Sequence, residues 1–128
     1  MRLLIDTCVV LWAMTTPERL SARVRSLFED RANDVLVSVV SAWEIGIKRQ
    51  AGRLELAPTT LDFFRSAVRD HSLGLLPVSL EHAVMAAELP LHHRDPFDRM
   101  LIAQAVAEGI AIASPDHCFT AYPVNTVW

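Results

Sequence analysis

Short runs of apolar residues, separated by longer segments with helical periodicity, account for most of this chain. Residues 3–5, 35–37, 75–78 and 110–113 are apolar without polar alternation, and each run is too short for a buried helix. Residues 124–127 form a weaker run that fits an edge strand. Unbroken apolar strands are typical of parallel sheets with both faces covered. The pattern therefore predicts an α/β fold with a central parallel sheet of four to five short strands, covered by helices on both faces.

Helices are predicted between these strands, where apolar residues recur at helical spacing. Serine or aspartate residues suited to N-cap positions precede most of them, and glycine or proline residues follow several. The predicted helices occupy residues 9–14, 22–31, a segment that ends near 51, a segment that opens at 58–60, 80–89 and 96–108. Either Ser38 or Ser41 can cap the third of these helices. No repeat or linker divides the chain, so residues 1–128 are predicted to form a single domain.

Composition limits the class of protein without identifying it. The chain has 128 residues, 52% of them apolar, a net charge of −3 and a single lysine, Lys48. An acidic chain binds polyanions poorly, so a nucleic-acid partner would need local cations or a metal ion. Cys8 and Cys118 lack zinc-type spacing, the chain turns polar at Asp6, and no apolar run could span a membrane. These features predict a cytoplasmic protein with no membrane association.

Four acidic residues stand at places in the predicted fold where ligands commonly bind. In an open α/β sheet, the ligand site lies outside the carboxyl ends of the strands. Asp6 directly follows the first strand, and Asp116 comes shortly after residues 110–113. Glu44 lies early in the helix after the second strand, and Asp98 lies in the first turn of its own helix. All four side chains are therefore predicted to converge on one edge of the sheet.

Each acidic residue also has an ordinary structural interpretation. Asp6 could simply cap the helix that follows it, and Asp116 fits a turn after Ser114-Pro115. Glu44 stands four residues before Lys48, a spacing that suits an exposed ion pair.

The sequence around Asp95 and Asp98 also reads as an ordinary helix start. Asp95 is expected to be the cap, with Pro96 at the first helical position. Asp98, by contrast, is expected at the start of the helix face that points into the protein. A charged side chain there is not exposed to solvent and needs a partner.

The convergence of four carboxylates points to a metal ion. Like charges at close range raise one another's pKa unless a cation neutralises them. Carboxylate oxygens without histidine or cysteine ligands select hard ions, here Mg²⁺ or Mn²⁺. Such a site can activate water for in-line attack on a phosphodiester. The acids therefore predict metal-dependent hydrolysis with no side chain as nucleophile.

Four stretches of the sequence resemble one known family. They are LLIDTCVVLW (3–12), SVVSAWEIGIKRQAGRL (38–54), HHRDPFDRMLIAQA (92–105) and IASPDHCFTAY (112–122). Together they span nearly the whole chain, in the expected order, and resemble the PIN-domain ribonucleases of the VapC toxin kind. The resemblance implies a Mg²⁺- or Mn²⁺-dependent endoribonuclease that is the toxin of a type II toxin–antitoxin pair. It also implies a VapB-type antitoxin, an RNA substrate and, commonly, a homodimer.

The same resemblance assigns roles to individual positions. It implies that the catalytic and metal-binding acids are Asp6, Glu44, Asp98 and Asp116. Ser114 stands where such proteins have a serine or threonine that can orient an acid, and Asp95 matches a frequent family acid of secondary importance. Cys8 stands where a histidine is often found. Because Cys8 and Cys118 each follow a site acid by two residues, we also hypothesise that their oxidation inhibits the enzyme.

Basic residues near the acids are predicted to contact the RNA backbone. Lys48 and Arg99 are the first choices because they are nearest the acids in sequence; Arg49, Arg53 and Arg94 are further possibilities. Solvated helix faces and ion pairs are the alternative for each of them. His92 and His93 are predicted to lie exposed in a loop, without a role as ligands.

Two alternative functions belong to other classes. A phosphotransfer domain also places an aspartate after its first strand, but it needs a lysine late in the chain, and none follows Lys48. The second alternative is a catalytically silent module of the same fold that binds an antitoxin or RNA, and the retained acids argue against it. The RNA target, the metal count, the oligomeric state and the antitoxin stay open.

Overall fold

A single parallel sheet of five strands organises the molecule. The computed structural model describes residues 1–54 and 59–128. The strands are β1 (Arg2–Ile5), β2 (Asp34–Ser38), β3 (Gly74–Leu76), β4 (Ala111–Ala113) and β5 (Thr126–Val127). Their order across the sheet is β3-β2-β1-β4-β5, and every neighbouring pair is parallel. The predicted α/β class is confirmed, and the weak apolar run near the C-terminus is indeed an edge strand.

Six helices accompany the sheet in the described part of the chain. They are α1 (Thr7–Thr15), α2 (Ala22–Glu29), α3 (Val39–Gln50), α4 (Thr60–Asp70), α5 (Leu80–Glu88) and α6 (Pro96–Glu108). Short 3-10 helices occupy Pro17–Arg19 and His117–Ala121. No described helix combines the length and the apolar character that a membrane crossing requires.

Two separate apolar cores confirm that both faces of the sheet are covered. Leu3 and Ile5 of β1 point into a core with residues of α1, α2 and α4. Leu4 points the other way, into a core that includes Leu101 and Ile102 of α6. All three β1 side chains are at most 1% exposed. Successive side chains of a strand alternate between faces, so an unbroken apolar run is what a doubly covered strand requires.

Several predicted boundaries shift for identifiable reasons. The third strand ends at Leu76 instead of reaching Val78, because Pro77 cannot donate a ladder hydrogen bond. Ser79 caps α5 as expected, and Ser38 is the residue that caps α3. The predicted helix opening at 58–60 begins in the structure at Thr60, with Thr59 as its cap, while Pro58 lies outside the described residues.

The topology places three strand ends side by side. β1 is the central strand, and it pairs with β2 on one side and with β4 on the other. Asp6, which immediately follows β1, donates its backbone N–H to the carbonyl oxygen of Ala113 at the end of β4. Helices α1 and α3 begin directly at the ends of β1 and β2. The residues just after these strands therefore surround one shared space.

Candidate functional site

A cleft of about 400 Å³ lies at the carboxyl ends of the central strands. Its lining includes all five acids that the sequence singled out: Asp6, Glu44, Asp95, Asp98 and Asp116. Lys48 and Cys8 also line it. Acids from distant parts of the sequence are thus brought into one space, and the predicted convergence of Asp6, Glu44, Asp98 and Asp116 is observed.

Asp6 combines the two roles that its sequence position allowed. It is the N-cap of α1, and its Oδ1 accepts a hydrogen bond from the Thr7 N–H at 2.7 Å. Its Oδ2 accepts one from the Ser114 hydroxyl at 2.7 Å. The residue is only 7% exposed. Burial raises the pKa of Asp6 above its ordinary value, although the hydrogen bonds from Ser114 and Thr7 act in the opposite direction.

Glu44 is held by a buried hydroxyl pair on one side and by an ammonium group on the other. Its Oε1 accepts a hydrogen bond from the Thr7 hydroxyl at 2.8 Å. Because the single hydroxyl proton of Thr7 is used in its bond to Glu44, the Ser41 hydroxyl must be the donor to Thr7, at 2.8 Å. Oε2 pairs with the Lys48 Nζ at 2.9 Å, so the predicted i,i+4 ion pair exists. Unlike an ordinary surface pair, it includes a carboxylate that is 8% exposed.

At the start of α6, Asp95 caps the helix and Asp98 faces the cleft. Asp95 is the cap, and its Oδ1 accepts from the N–H groups of Phe97 and Asp98 at 2.8 and 3.1 Å. The side chain of Asp98 points into the cleft, where burial raises its pKa to about 6. That pKa of about 6 already includes a lowering by the hydrogen bond with His93 and a rise from the charges of Asp6 and Asp95.

The prediction that both loop histidines are exposed is wrong for His93. Its Nε2 lies 2.7 Å from Oδ2 of Asp98, and its side chain is 26% exposed. The loop is folded back because the His93 N–H donates to the Tyr122 hydroxyl at 2.9 Å. His92 is exposed and lies edge-on to the Tyr122 ring. A loop histidine held this way cannot be recognised from the local sequence.

Ser114 links the first and last acids of the chain's predicted site. Its hydroxyl donates to Asp6, as described, and accepts from the Asp116 N–H at 3.0 Å. Asp116 also caps the 3-10 helix that follows it, through a 2.9 Å hydrogen bond from the Cys118 N–H. Ser114 is 4% exposed. Its position supports the predicted task of orienting an acid.

The two leading candidates for RNA contact have different environments. The Lys48 side chain is 39% exposed and stands in the cleft wall, where a phosphate could reach it. Arg99 is 7% exposed, and its guanidinium donates to backbone carbonyl oxygens of the α5–α6 connection. This burial, with its donors already occupied, argues against the predicted contact of Arg99 with RNA. Arg53 and Arg94 are exposed, and Arg49 donates to the Thr60 hydroxyl at 3.2 Å.

Both cysteines lie beside the acids as free, half-buried thiols. Cys8 Sγ is 3.5 Å from Oδ2 of Asp6, and burial together with the charge of Asp6 raises its pKa. Burial, with the hydrogen bond to Asp116, raises the pKa of Cys118 to about 12. A raised thiol pKa lowers the thiolate fraction that reacts with oxidants. This environment argues against the hypothesis of oxidative inhibition.

The donor set of the cleft fits a hard divalent cation. Among the described lining residues, five carboxylates face one ammonium group, that of Lys48. Asp6 and Asp98 each carry a raised pKa, and the charge of Asp6 contributes to the shift at Asp98. A bound dication would offset this repulsion. Oxygen donors of this kind suit Mg²⁺ or Mn²⁺.

We expect Ser114→Ala to reduce metal affinity or metal-dependent activity by about 10- to 100-fold, the usual effect of removing a group that orients a ligand. The variant removes the donor to Asp6 and the acceptor of the Asp116 N–H. Ser114→Thr, which keeps the hydroxyl, is the matched control. Metal titration by calorimetry checks the prediction, and equal affinities for Ser114→Ala and wild type would contradict it.

The fold has counterparts among solved structures. VapBC2 of Rickettsia felis, crystallised with a promoter DNA fragment, superposes with a TM-score of 0.73 at 13% identity, covering 100% of this chain and 99% of that one. VapBC-5 of Mycobacterium tuberculosis, from the VapBC family of toxin–antitoxin systems, has a TM-score of 0.62 at 18% identity, covering 98% and 97%. FitAcB of Neisseria gonorrhoeae has a TM-score of 0.61 at 19% identity, covering 98% and 96%. At these identities the likeness establishes the fold.

The sequence itself identifies the family. A search of curated proteins finds no significant match. The family model of the PIN domain, however, matches residues 3–125, which is nearly the whole sequence. The stretches that resembled this family and the acid-lined cleft fall within that match. The chain belongs to the PIN domain family.

Proposed function

We propose that this protein is a Mg²⁺- or Mn²⁺-dependent endoribonuclease and the toxin of a type II toxin–antitoxin pair. The observation that carries the proposal is the gathering of Asp6, Glu44, Asp98 and Asp116 in one cleft. Membership of the PIN domain family and the sequence resemblance to VapC toxins support nuclease chemistry on RNA. The predicted VapB-type antitoxin and homodimer are part of the same proposal. The toxin–antitoxin complexes among proteins of similar fold agree with it.

The contacts of the cleft residues suggest a role for each of them in binding the metal ion. The carboxylates of Asp6, Asp98 and Asp116 are the proposed metal ligands, and Glu44 completes the acidic wall. A Mg²⁺ or Mn²⁺ ion held there would supply a water of lowered pKa and would offset negative charge on a scissile phosphate. No side chain needs to act as the nucleophile.

The hydrogen bonds around these acids orient them, and those to Asp6 and Asp98 favour the ionised form against the effect of burial. The Thr7 N–H occupies one lone pair of Oδ1 of Asp6, and the other remains for a ligand. Oδ2 accepts from the Ser114 hydroxyl and also faces the Cys8 thiol at 3.5 Å. Lys48 holds Glu44 at 2.9 Å and is the cation best placed to meet a phosphate oxygen of the RNA backbone. When RNA binds, the Lys48 ammonium group would weaken its contact with Glu44 and would contact a phosphate oxygen. This gives the acidic protein the local cation that its net charge of −3 makes necessary.

The test is digestion of total RNA by the purified, antitoxin-free protein with Mg²⁺, with Mn²⁺ and with EDTA. We expect cleavage with either ion, none in EDTA, and a loss of more than about 100-fold in Asp98→Asn, since even residues that only orient ligands cost up to about that much. Asp62→Asn is the matched control. Asp62 is exposed and occupies the same position in the first turn of α4 that Asp98 occupies in α6.

The outcomes separate the proposal from its alternative. Cleavage that needs the cation and Asp98, but not Asp62, supports the acidic cleft as the nuclease site. Cleavage that persists in EDTA, or that is equal in Asp98→Asn and wild type, would contradict the assignment. A protein that binds RNA or an antitoxin without any cleavage would instead be the silent binding module.

A further inference from the structure

One corner at the edge of the cleft, where Asp98 meets side chains outside the cleft lining, differs chemically from the rest. A ring nitrogen of His93, a carboxylate oxygen of Asp98 and Cys118 Sγ all lie within 4.8 Å of one another. The three side chains come from the loop before α6, the first turn of α6 and the 3-10 helix His117–Ala121. The remaining acids of the cleft offer oxygen alone, whereas this corner offers nitrogen, oxygen and sulfur. Such a mixed set is typical of a borderline-soft ion and not of Mg²⁺.

The dimensions of the corner fit zinc after a small adjustment. Zinc binds cysteine sulfur at about 2.3 Å and histidine nitrogen at about 2.0–2.1 Å in a tetrahedral arrangement. Ligand atoms bonded at those lengths are roughly 3.3–3.8 Å apart. His93 Nε2 and Asp98 Oδ2, now 2.7 Å apart, would separate slightly, and the thiol would move inward. Three protein ligands leave the fourth position open, as in zinc sites that exchange a ligand.

Each of the three residues is fixed by contacts that do not involve the other two. The His93 N–H donates to the Tyr122 hydroxyl, and the His93 carbonyl accepts from the buried guanidinium of Arg99 at 3.2 Å. The Cys118 N–H is held by Oδ1 of Asp116 at 2.9 Å. Asp98 is positioned by the cap of α6. Preorganised backbones of this kind reduce the entropy that a metal must overcome to gather its ligands.

We propose that His93, Asp98 and Cys118 form a Zn²⁺ site that shares Asp98 with the Mg²⁺/Mn²⁺ cleft, so that zinc inhibits the enzyme. On binding, a Zn–S bond forms, and the proton of the Cys118 thiol leaves to solvent. Asp98 is then committed to zinc and is lost to the hard-ion site. The binding part of this inference stands by itself, whereas the inhibition part rests on the proposed function.

Cobalt is a suitable probe because it replaces zinc and reports its ligands by absorption. We expect Co²⁺ titrated into the metal-free protein to give a near-ultraviolet thiolate-to-cobalt band and visible bands of a tetrahedral ion, both removed by one equivalent of Zn²⁺. Cys118→Ser should lose the thiolate band. Cys8→Ser is the matched control, because Cys8 is also a half-buried thiol beside the acids yet lies outside the cluster, and it should keep the band.

Inhibition is measured on RNA cleavage in Mg²⁺, with each variant compared with its own zinc-free rate. We expect Cys118→Ser to need at least about 10-fold more zinc for half-inhibition than wild type, and Cys8→Ser to need the same amount. Circular dichroism of each variant verifies the fold, and Cys118→Ala provides a second test if the serine variant is perturbed.

The possible results separate the two proposals. No thiolate band in the wild type, or an undiminished band in folded Cys118→Ser, would overturn the zinc site. A normal cobalt spectrum in a protein that never cleaves RNA would support the zinc site and overturn the proposed nuclease function.

Discussion

Asp6→Asn is expected to lower RNA cleavage by more than about 100-fold and, in the absence of a divalent cation, to make the protein more stable than wild type. Asparagine is as good an N-cap as aspartate, so the start of α1 keeps its hydrogen bond from the Thr7 N–H. The variant loses a negative charge on a residue that is 7% exposed, and it also loses the oxygen that accepts from the Ser114 hydroxyl. The same charge that suits a metal ion is unfavourable in the empty cleft.

The direction of the pH dependence follows from the raised pKa. The pKa of Asp6 in the folded protein exceeds its ordinary value of 3.8, with burial as the largest cause. The folded state therefore holds its proton to higher pH than the unfolded state does. The stability that this proton contributes is fully present below 3.8 and is lost as pH rises through the native pKa. An asparagine at this position has no such loss, so the variant gains on wild type as pH rises.

Thermal melts across a pH series, in EDTA and in Mg²⁺, measure this effect. In EDTA, we expect the melting temperature of Asp6→Asn to move above that of wild type as pH rises. Mg²⁺ should reverse the order, because an ion that binds only the folded protein stabilises wild type. Asp62→Asn, on the exposed side of α4, should show neither trend. A variant less stable than wild type in EDTA at every pH would show that the hydrogen bonds to the Asp6 carboxylate outweigh its burial.

The location of the site could be predicted because it follows from strand polarity. Apolar runs identify strands, parallel strands share a carboxyl edge, and residues just after those strands must meet there. Asp6 and Asp116 satisfy this rule directly. Glu44 and Asp98 reach the same cleft from the N-terminal halves of α3 and α6. The individual acids were ambiguous as caps or ion pairs, and their number at one edge is what made the prediction specific.

The hydroxyl groups that orient the acids could not be predicted in the same way. Thr7 contacts Ser41 and Glu44, which are 34 and 37 positions away in sequence, only because α1 and α3 start side by side. The Ser114 contact with Asp6 spans 108 positions. Neither pair leaves a periodic or spacing signal. For Ser114, the family resemblance supplied the expectation that composition and periodicity lacked.

The buried environment of Arg99 shows the limit of predicting a contact from proximity in sequence. Arg99 follows Asp98 directly, which suggests a neighbour in the same site, but adjacent residues of a helix point about 100° apart. The arginine therefore faces α5 while the acid faces the cleft. The carbonyl groups at the end of α5 lack helical partners and need donors. Their position depends on how α5 packs against α6, which no local pattern encodes.

Arg99→Ala is expected to reduce the free energy of unfolding by about 3–5 kcal/mol, because several buried carbonyl oxygens lose their donor at a cost of about 1–3 kcal/mol each. Its Nη2 donates to the carbonyl oxygens of Ala86 and Leu89, both at 2.8 Å. Its Nη1 donates to those of Pro90 and His93, at 3.0 and 3.2 Å. Alanine would remove the donor from the carbonyl oxygens of Ala86, Leu89 and His93, whereas that of Pro90 would keep its hydrogen bond from the Tyr122 hydroxyl at 2.7 Å. Urea denaturation followed by circular dichroism gives the value.

Comparison with other substitutions distinguishes a structural arginine from an RNA-binding one. Arg94→Ala removes an exposed arginine from the loop before α6 and should change stability by no more than about 0.5 kcal/mol. Arg99→Lys keeps the charge but not the planar fork of donors, so its stability should lie between those of Arg99→Ala and wild type. If Arg99→Ala instead unfolds like wild type and binds RNA more weakly, Arg99 contacts RNA after all. A large loss of stability, with Arg99→Lys intermediate, would show that this arginine secures the His93 loop beside the acids.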